Sequence, residues 1–106
     1  MQMKIFYIFL ILFSINSIAD EFIVIDVRTP EEFKEGHIEE SSNIEWQIIS
    51  SIVDEVKKDQ KIYLYCRSGR RSQNATDILI DLGYEDVTNL GGLKDAAIFL
   101  ERNITE

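Results

Sequence analysis

The chain has 106 residues, 45% of them apolar and 28% charged, with a formal net charge of −8. That length leaves room for one hydrophobic core and no second domain. The acidic balance repels nucleic acid and anionic membrane, so neither is expected as a partner.

The first nineteen residues have the pattern of a targeting segment. Lys4 is their only charged residue, Ile5 to Phe13 is an unbroken apolar and aromatic run, and Ser17-Ile18-Ala19 puts small residues where a signal peptidase reads them. The run is short for a membrane span of about 20 residues. Residues 1–19 are therefore expected to be a secretory signal cleaved before Asp20, leaving residues 20–106 as one exported, periplasmic domain without stable membrane association. That remainder keeps all 19 acidic residues and 10 of the 11 basic ones, a formal charge of −9. A monomer is expected.

Phe22 to Val27 is a continuous, largely β-branched run, the signature of a strand buried on both faces. Thr29-Pro30-Glu31-Glu32-Phe33 then reads as a helix start, with Thr29 as N-cap, proline at the first helical position and acids in the first turn. That helix ends near Gly36, and a short strand is expected around Asn43 to Glu45. From Trp46 onward, Ile48, Ile49, Ile52, Val53 and Val56 form one face of a core-facing α-helix closed by Lys57 and Lys58.

Lys61 to Cys66 reads as a second buried strand. Ser72 is expected to cap a helix with Ala75, Ile78, Leu79 and Leu82 on its apolar side, stopped by Gly83. Val87 to Leu90 is a third strand, Gly91-Gly92 a sharp turn, and Leu93 to about Arg102 a closing helix. Strands alternating with helices predict an α/β, three-layer domain: a small, mainly parallel sheet of about four strands, with helices on both faces.

The chemistry concentrates after the second of these strands, in Cys66-Arg67-Ser68-Gly69-Arg70-Arg71-Ser72. Ligands in such folds bind beyond the carboxyl ends of the strands. A loop running into a helix N-terminus presents N–H groups and a positive end, which favour an anion. A thiol of pKa about 8.5 falls to roughly 3.5 to 7.5 in such surroundings, and the thiolate is the nucleophile. Guanidinium forks suit sulfonate-like or phosphate oxygens. Cys66 is the only cysteine, so no internal disulfide and no C-x-x-C exchange are available to it. His37, the only histidine, is assigned a positioning or packing role, and one cysteine with one histidine does not make a metal site.

Asp26-Val27-Arg28 with Pro30-Glu31-Glu32-Phe33, Gly36-His37-Ile38, Asn43-Ile44, Tyr65 to Ser72 and Gly91-Gly92-Leu93 together resemble, in order, the motifs of a rhodanese domain. The resemblance is strongest to the small periplasmic, phage-shock-type thiosulfate sulfurtransferases. It implies no cofactor and a persulfide mechanism: Cys66 thiolate takes the outer sulfur of thiosulfate, releases sulfite, and passes the sulfur to cyanide or a small thiol. The loop residues Arg67, Ser68, Gly69, Arg70, Arg71 and Ser72 are its expected substrate-binding set, with Arg67 and Arg70 on thiosulfate. Asp26 and Arg28 are expected to support the loop, Asp26 by pairing with Arg71.

Cysteine phosphatases of related fold place five residues between the cysteine and their phosphate-binding arginine, and Ser72 occupies that position here. The shorter loop implied by the resemblance suits a sulfur atom better than a phosphate. Two further readings use the same residues: a persulfide carrier fed by a protein donor, and a non-catalytic binding module of rhodanese fold. Ala96 stands where many relatives carry tryptophan, and Glu39-Glu40-Ser41-Ser42 replaces their usual proline-glycine-alanine turn. The extra strand and helix that open the larger domains are not expected ahead of Phe22.

Overall fold

In the computed structural model, which describes residues 21–106, the chain alternates strand and helix around one parallel sheet. Its elements are β1 (Phe22–Asp26), α1 (Pro30–Glu35), β2 (His37–Ile38), β3 (Ser42–Asn43), a 3-10 segment (Trp46–Asp54), β4 (Lys61–Cys66), α2 (Arg70–Asp81), β5 (Val87–Gly92), α3 (Leu93–Leu100) and β6 (Ile104–Thr105). The expected signal segment lies outside the described residues. No helix of the described residues is long and apolar enough to cross a membrane.

The sheet has the order β3-β1-β4-β5, with every neighbouring pair parallel. β1 and β4 lie at its centre, in register from Phe22 opposite Lys61 to Asp26 opposite Tyr65. Because successive side chains alternate across a strand, each central strand feeds two cores. Ile25, Ile62, Leu64 and Cys66 point to one face, where the 3-10 segment and α2 supply Ile49, Ile52, Ala75 and Leu79. Val24 and Tyr65 point to the other, against Ile38 and Ala96. Each fully buried aliphatic side chain contributes about 1.5–3 kcal/mol.

Local chemistry explains most boundaries. Thr29 Oγ1 accepts the Glu32 N–H at 3.2 Å while Glu32 Oε1 accepts the Thr29 N–H at 3.1 Å, a reciprocal cap that starts α1 behind Pro30. Gly83, at φ +100°, lets the chain leave α2 in the left-handed region.

Two expectations are corrected, and one strand pair is added. The apolar run after Trp46 is a 3-10 segment kinked at Ile48 (φ −117°, ψ 18°), and it is not an α-helix. At three residues per turn, Ile49 and Ile52 eclipse one another and are buried at 0% and 3% exposure, whereas Ile48 and Val53 are thrown outward. The Tyr84 hydroxyl donates towards the carbonyls of Ile52 (3.3 Å) and Val56 (2.8 Å), bonding backbone oxygens at the end of this segment. Second, α2 begins at Arg70 behind Gly69, which sits at φ +101°; Ser72 is buried in its first turn and is not the cap. In addition, β2 and β6 form a separate antiparallel pair that no sequence pattern announced. The Tyr65 hydroxyl accepts the Ile38 N–H at 3.0 Å, tying that pair to the central sheet.

Candidate active site

β4 delivers Cys66, buried at 0% exposure, to the carboxyl edge of the sheet. The three residues Arg67, Ser68 and Gly69 then turn the chain directly into α2. The left-handed conformation of Gly69 makes this turn possible, and it aims the Gly69 N–H at Cys66 Sγ, 2.9 Å away. Ser72 Oγ lies 3.2 Å from the same sulfur. The sulfur thus occupies the place of a capping side chain at the start of α2, where helix N–H groups lack partners.

Burial pushes the Cys66 thiol up, but the Ser72 hydroxyl and the peptide N–H groups of Ser72, Ser68 and Gly69 outweigh it, and the thiol is held below its ordinary value. The donors on the sulfur are backbone N–H groups, as expected of a loop running into a helix N-terminus, together with a hydroxyl.

The arginines separate. Arg67 is exposed and lines a cleft of about 660 Å³ together with Gly92, Lys94, Asp95 and Glu35. Arg67 and Gly92 are the sequence neighbour and the strand partner of Cys66. Gly92 is required there by space: a Cβ would stand 2.6 Å from the Arg67 carbonyl oxygen. Arg70 is exposed on the first turn of α2 and Ser68 on the loop.

Arg71 turns away to Glu32 of α1, its Nη1 and Nη2 donating to Oε1 at 2.8 Å and Oε2 at 3.0 Å. The expected Asp26–Arg71 pair is not formed. Asp26 is saturated by a nearer partner: Arg28 donates its N–H to Oδ1 at 2.9 Å, and its Nη2 to Oδ2 at 2.7 Å. Arg28 Nη2 also reaches the Gly36 carbonyl at 2.6 Å, so this buried pair braces the end of β1 against α1. His37 stacks on Phe33 at 3.7 Å between ring centroids, a packing contact.

Two residues that shape the site were not singled out from sequence. Glu32 carried a readable signal, the Thr29-x-x-Glu32 capping pattern. Asn89 carried a weaker one, as a lone amide within an otherwise strand-like run. Its side chain donates to the Gly69 carbonyl at 3.0 Å, and its Oδ1 accepts the Gly91 N–H at 2.9 Å and the Ser72 hydroxyl at 2.7 Å.

The model of the rhodanese-like domain family matches residues 15–97, a stretch that contains the loop, the cleft-lining residues and the sheet. The chain belongs to the rhodanese family. Among rhodanese relatives, it is 38% identical over 79 residues to thiosulfate sulfurtransferase PspE of Escherichia coli, covering 70% of this chain and 73% of that protein. It is 36% identical over 74 residues to a sulfurtransferase of Allochromatium vinosum, covering 70% and 69%. A solved rhodanese with anions from E. coli superposes with a TM-score of 0.73 at 34% identity, covering 81% of this chain and 99% of that one. Rhodanese membership supports a sulfurtransferase at the level of the family.

Proposed function

We propose that this rhodanese is a thiosulfate sulfurtransferase that carries sulfane sulfur as a persulfide on Cys66. The observation that carries the reading is the pair of donors on Cys66 Sγ, Gly69 N–H at 2.9 Å and Ser72 Oγ at 3.2 Å, which favour a sulfur anion in a buried place. The names of the relatives, thiosulfate sulfurtransferase and sulfurtransferase, support the same class.

In the first half-reaction the Cys66 thiolate attacks the outer sulfur of thiosulfate. A new S–S bond forms, the bond between the two thiosulfate sulfurs breaks, and its electron pair leaves with sulfite. The terminal sulfur of the persulfide then carries the negative charge, which the loop donors stabilise. In the second half-reaction a thiolate or cyanide attacks that terminal sulfur and Cys66 thiolate departs. Arg67 and Lys94, on the cleft beside the loop, supply positive charge for the sulfonate end of thiosulfate, with Arg70 contributing from the first turn of α2. The apolar run and small residues of positions 1–19 support an exported enzyme.

The test is intact mass after incubation with thiosulfate. A gain of one sulfur atom that is absent in Cys66→Ser is expected. A gain only from a protein persulfide donor would make the chain a carrier, and no gain from any sulfane donor would leave a binding module.

A further inference from the structure

Asn89 of β5 contacts neither Cys66 nor the cleft, yet its side chain meets the loop at Gly69, the first turn of α2 at Ser72, and its own strand at Gly91. Nδ2 donates to the carbonyl of Gly69, the residue whose own N–H meets the sulfur. Oδ1 accepts the Gly91 N–H and lies 2.7 Å from Ser72 Oγ. Gly69 and Gly91 are also in close approach, since a Cβ on Gly69 would stand 3.3 Å from the Gly91 Cα. One amide therefore ties the end of β5 to both groups that donate to Cys66 Sγ. An asparagine matches this demand because it offers donor and acceptor on one short, planar group.

We infer that Asn89 is the positioning residue of the sulfur site, holding Gly69 and Ser72 where they donate to the Cys66 thiolate. The inference rests on the reading of Cys66 as the sulfur-carrying nucleophile.

Two opposed effects follow from the geometry. Ser72 has a single hydroxyl proton and two acceptors within reach, Cys66 Sγ at 3.2 Å and Asn89 Oδ1 at 2.7 Å. With a neutral thiol, the S–H donates to Ser72 Oγ and the hydroxyl to Asn89; with a thiolate, the hydroxyl turns to the sulfur. Removing Asn89 frees that hydroxyl, which favours the thiolate, but it also releases Gly69 and its charge-assisted N–H bond. A bond to an ionised acceptor is about twice as strong as a neutral one, so the second effect wins.

The charges around the sulfur are unaltered by the change: Arg67, Arg70 and Arg71 on the loop and α2, the Asp26–Arg28 pair at the end of β1, and Glu32 on α1. Lys94 and Asp95, at the start of α3, also stay in place.

The experiment is the pH profile of Cys66 alkylation by iodoacetamide, with thermal unfolding as a control on folding. In Asn89→Ala the midpoint is expected to move up by roughly one pH unit, which lowers the rate about tenfold at any pH well below both midpoints. Asn89→Ser, which retains a short polar group but cannot span to the Gly69 carbonyl, is the second variant should Asn89→Ala fail to fold, and it is expected to shift the profile in the same direction. A profile that superposes on the parent in a cooperatively melting variant overturns the inference. A downward shift that vanishes in a Ser72→Ala background also overturns it, because Asn89 would then act only by competing for the hydroxyl. Alkylation needs no sulfur donor, so an upward shift alongside absent sulfur uptake from thiosulfate would retire the proposed substrate and leave the positioning role standing.

Discussion

Arg71 and Glu32 meet in a two-pronged ion pair, 2.8 and 3.0 Å, that joins the first turn of α2 to the first turn of α1. The Arg71 guanidinium holds the Glu32 carboxyl at about 2, helped by the Thr29 N–H and hydroxyl and opposed by burial. One carboxylate therefore serves both as the returning half of a helix cap and as the anchor of the helix that follows the sulfur loop.

Glu32→Gln is expected to cost about 1 kcal/mol at pH 7, since the pair is partly exposed and screened by water. The sign with pH follows from the depressed value. The contribution is complete above the ordinary carboxylate range, near 4.5, and is lost as pH falls towards 2. Urea unfolding of parent and variant at a series of pH values checks this; a difference that grows below pH 4 would contradict the pairing.

Asp26→Asn removes the carboxylate that Arg28 is hydrogen-bonded to and leaves its buried guanidinium without its ion-pair partner. Breaking such a pair costs about 3–5 kcal/mol. The midpoint of chemical unfolding reports it, and Arg28→Met added to Asp26→Asn is expected to recover part of the loss, because no unpaired charge is then buried. A loss below about 1 kcal/mol would show that water reaches the pair.

Gly92→Ala places a Cβ 2.6 Å from the Arg67 carbonyl oxygen, a backbone atom that cannot swing aside as a side chain would. The loop must move. Sulfur transfer is expected to fall at least tenfold, against a stability loss of about 1–3 kcal/mol typical of overpacking. Steady-state rates beside melting curves separate the two effects, and an unchanged rate would mean that the loop position tolerates the shift.

Ser72→Ala deletes a hydroxyl donor from the sulfur without disturbing the Gly69 N–H. The Cys66 alkylation midpoint is expected to rise and the rate at pH below the midpoint to fall severalfold, consistent with a net bond to a charged group of about 1.5–3 kcal/mol of which backbone donors retain a share. Absorbance of the thiolate during a pH titration provides an independent reading of the same midpoint.

The legible parts of this protein are those decided within a few residues. β4 has the bounds of its apolar run, Lys61–Cys66, and α1 begins at the proline behind its threonine cap. The stretch after Trp46 misled because 3.0 and 3.6 residues per turn place Ile49 and Ile52 on the same side, and only packing against α2 decides whether Ile48 joins them. β2 and β6 were hidden because two-residue strands have no periodicity to read.

By itself the sequence determined that a lone cysteine ends a buried strand, is followed by a glycine-containing basic turn and a helix, and so stands among N–H groups that favour its anion. Those are consequences of chain direction and local conformation, and they do not depend on what else packs nearby. The tertiary structure decided which charges meet. Asp26 had Arg28 and Arg71 as candidate partners, and the nearer one saturates both its oxygens; Arg71 is then free for Glu32, a residue 39 positions away. It also decided that Asn89, carried in by a strand on the far side of β4, reaches the carbonyl of Gly69. Ion pairs and amide contacts are selected by distance in space among several chemically equivalent choices, and that distance is set only when the sheet order is complete.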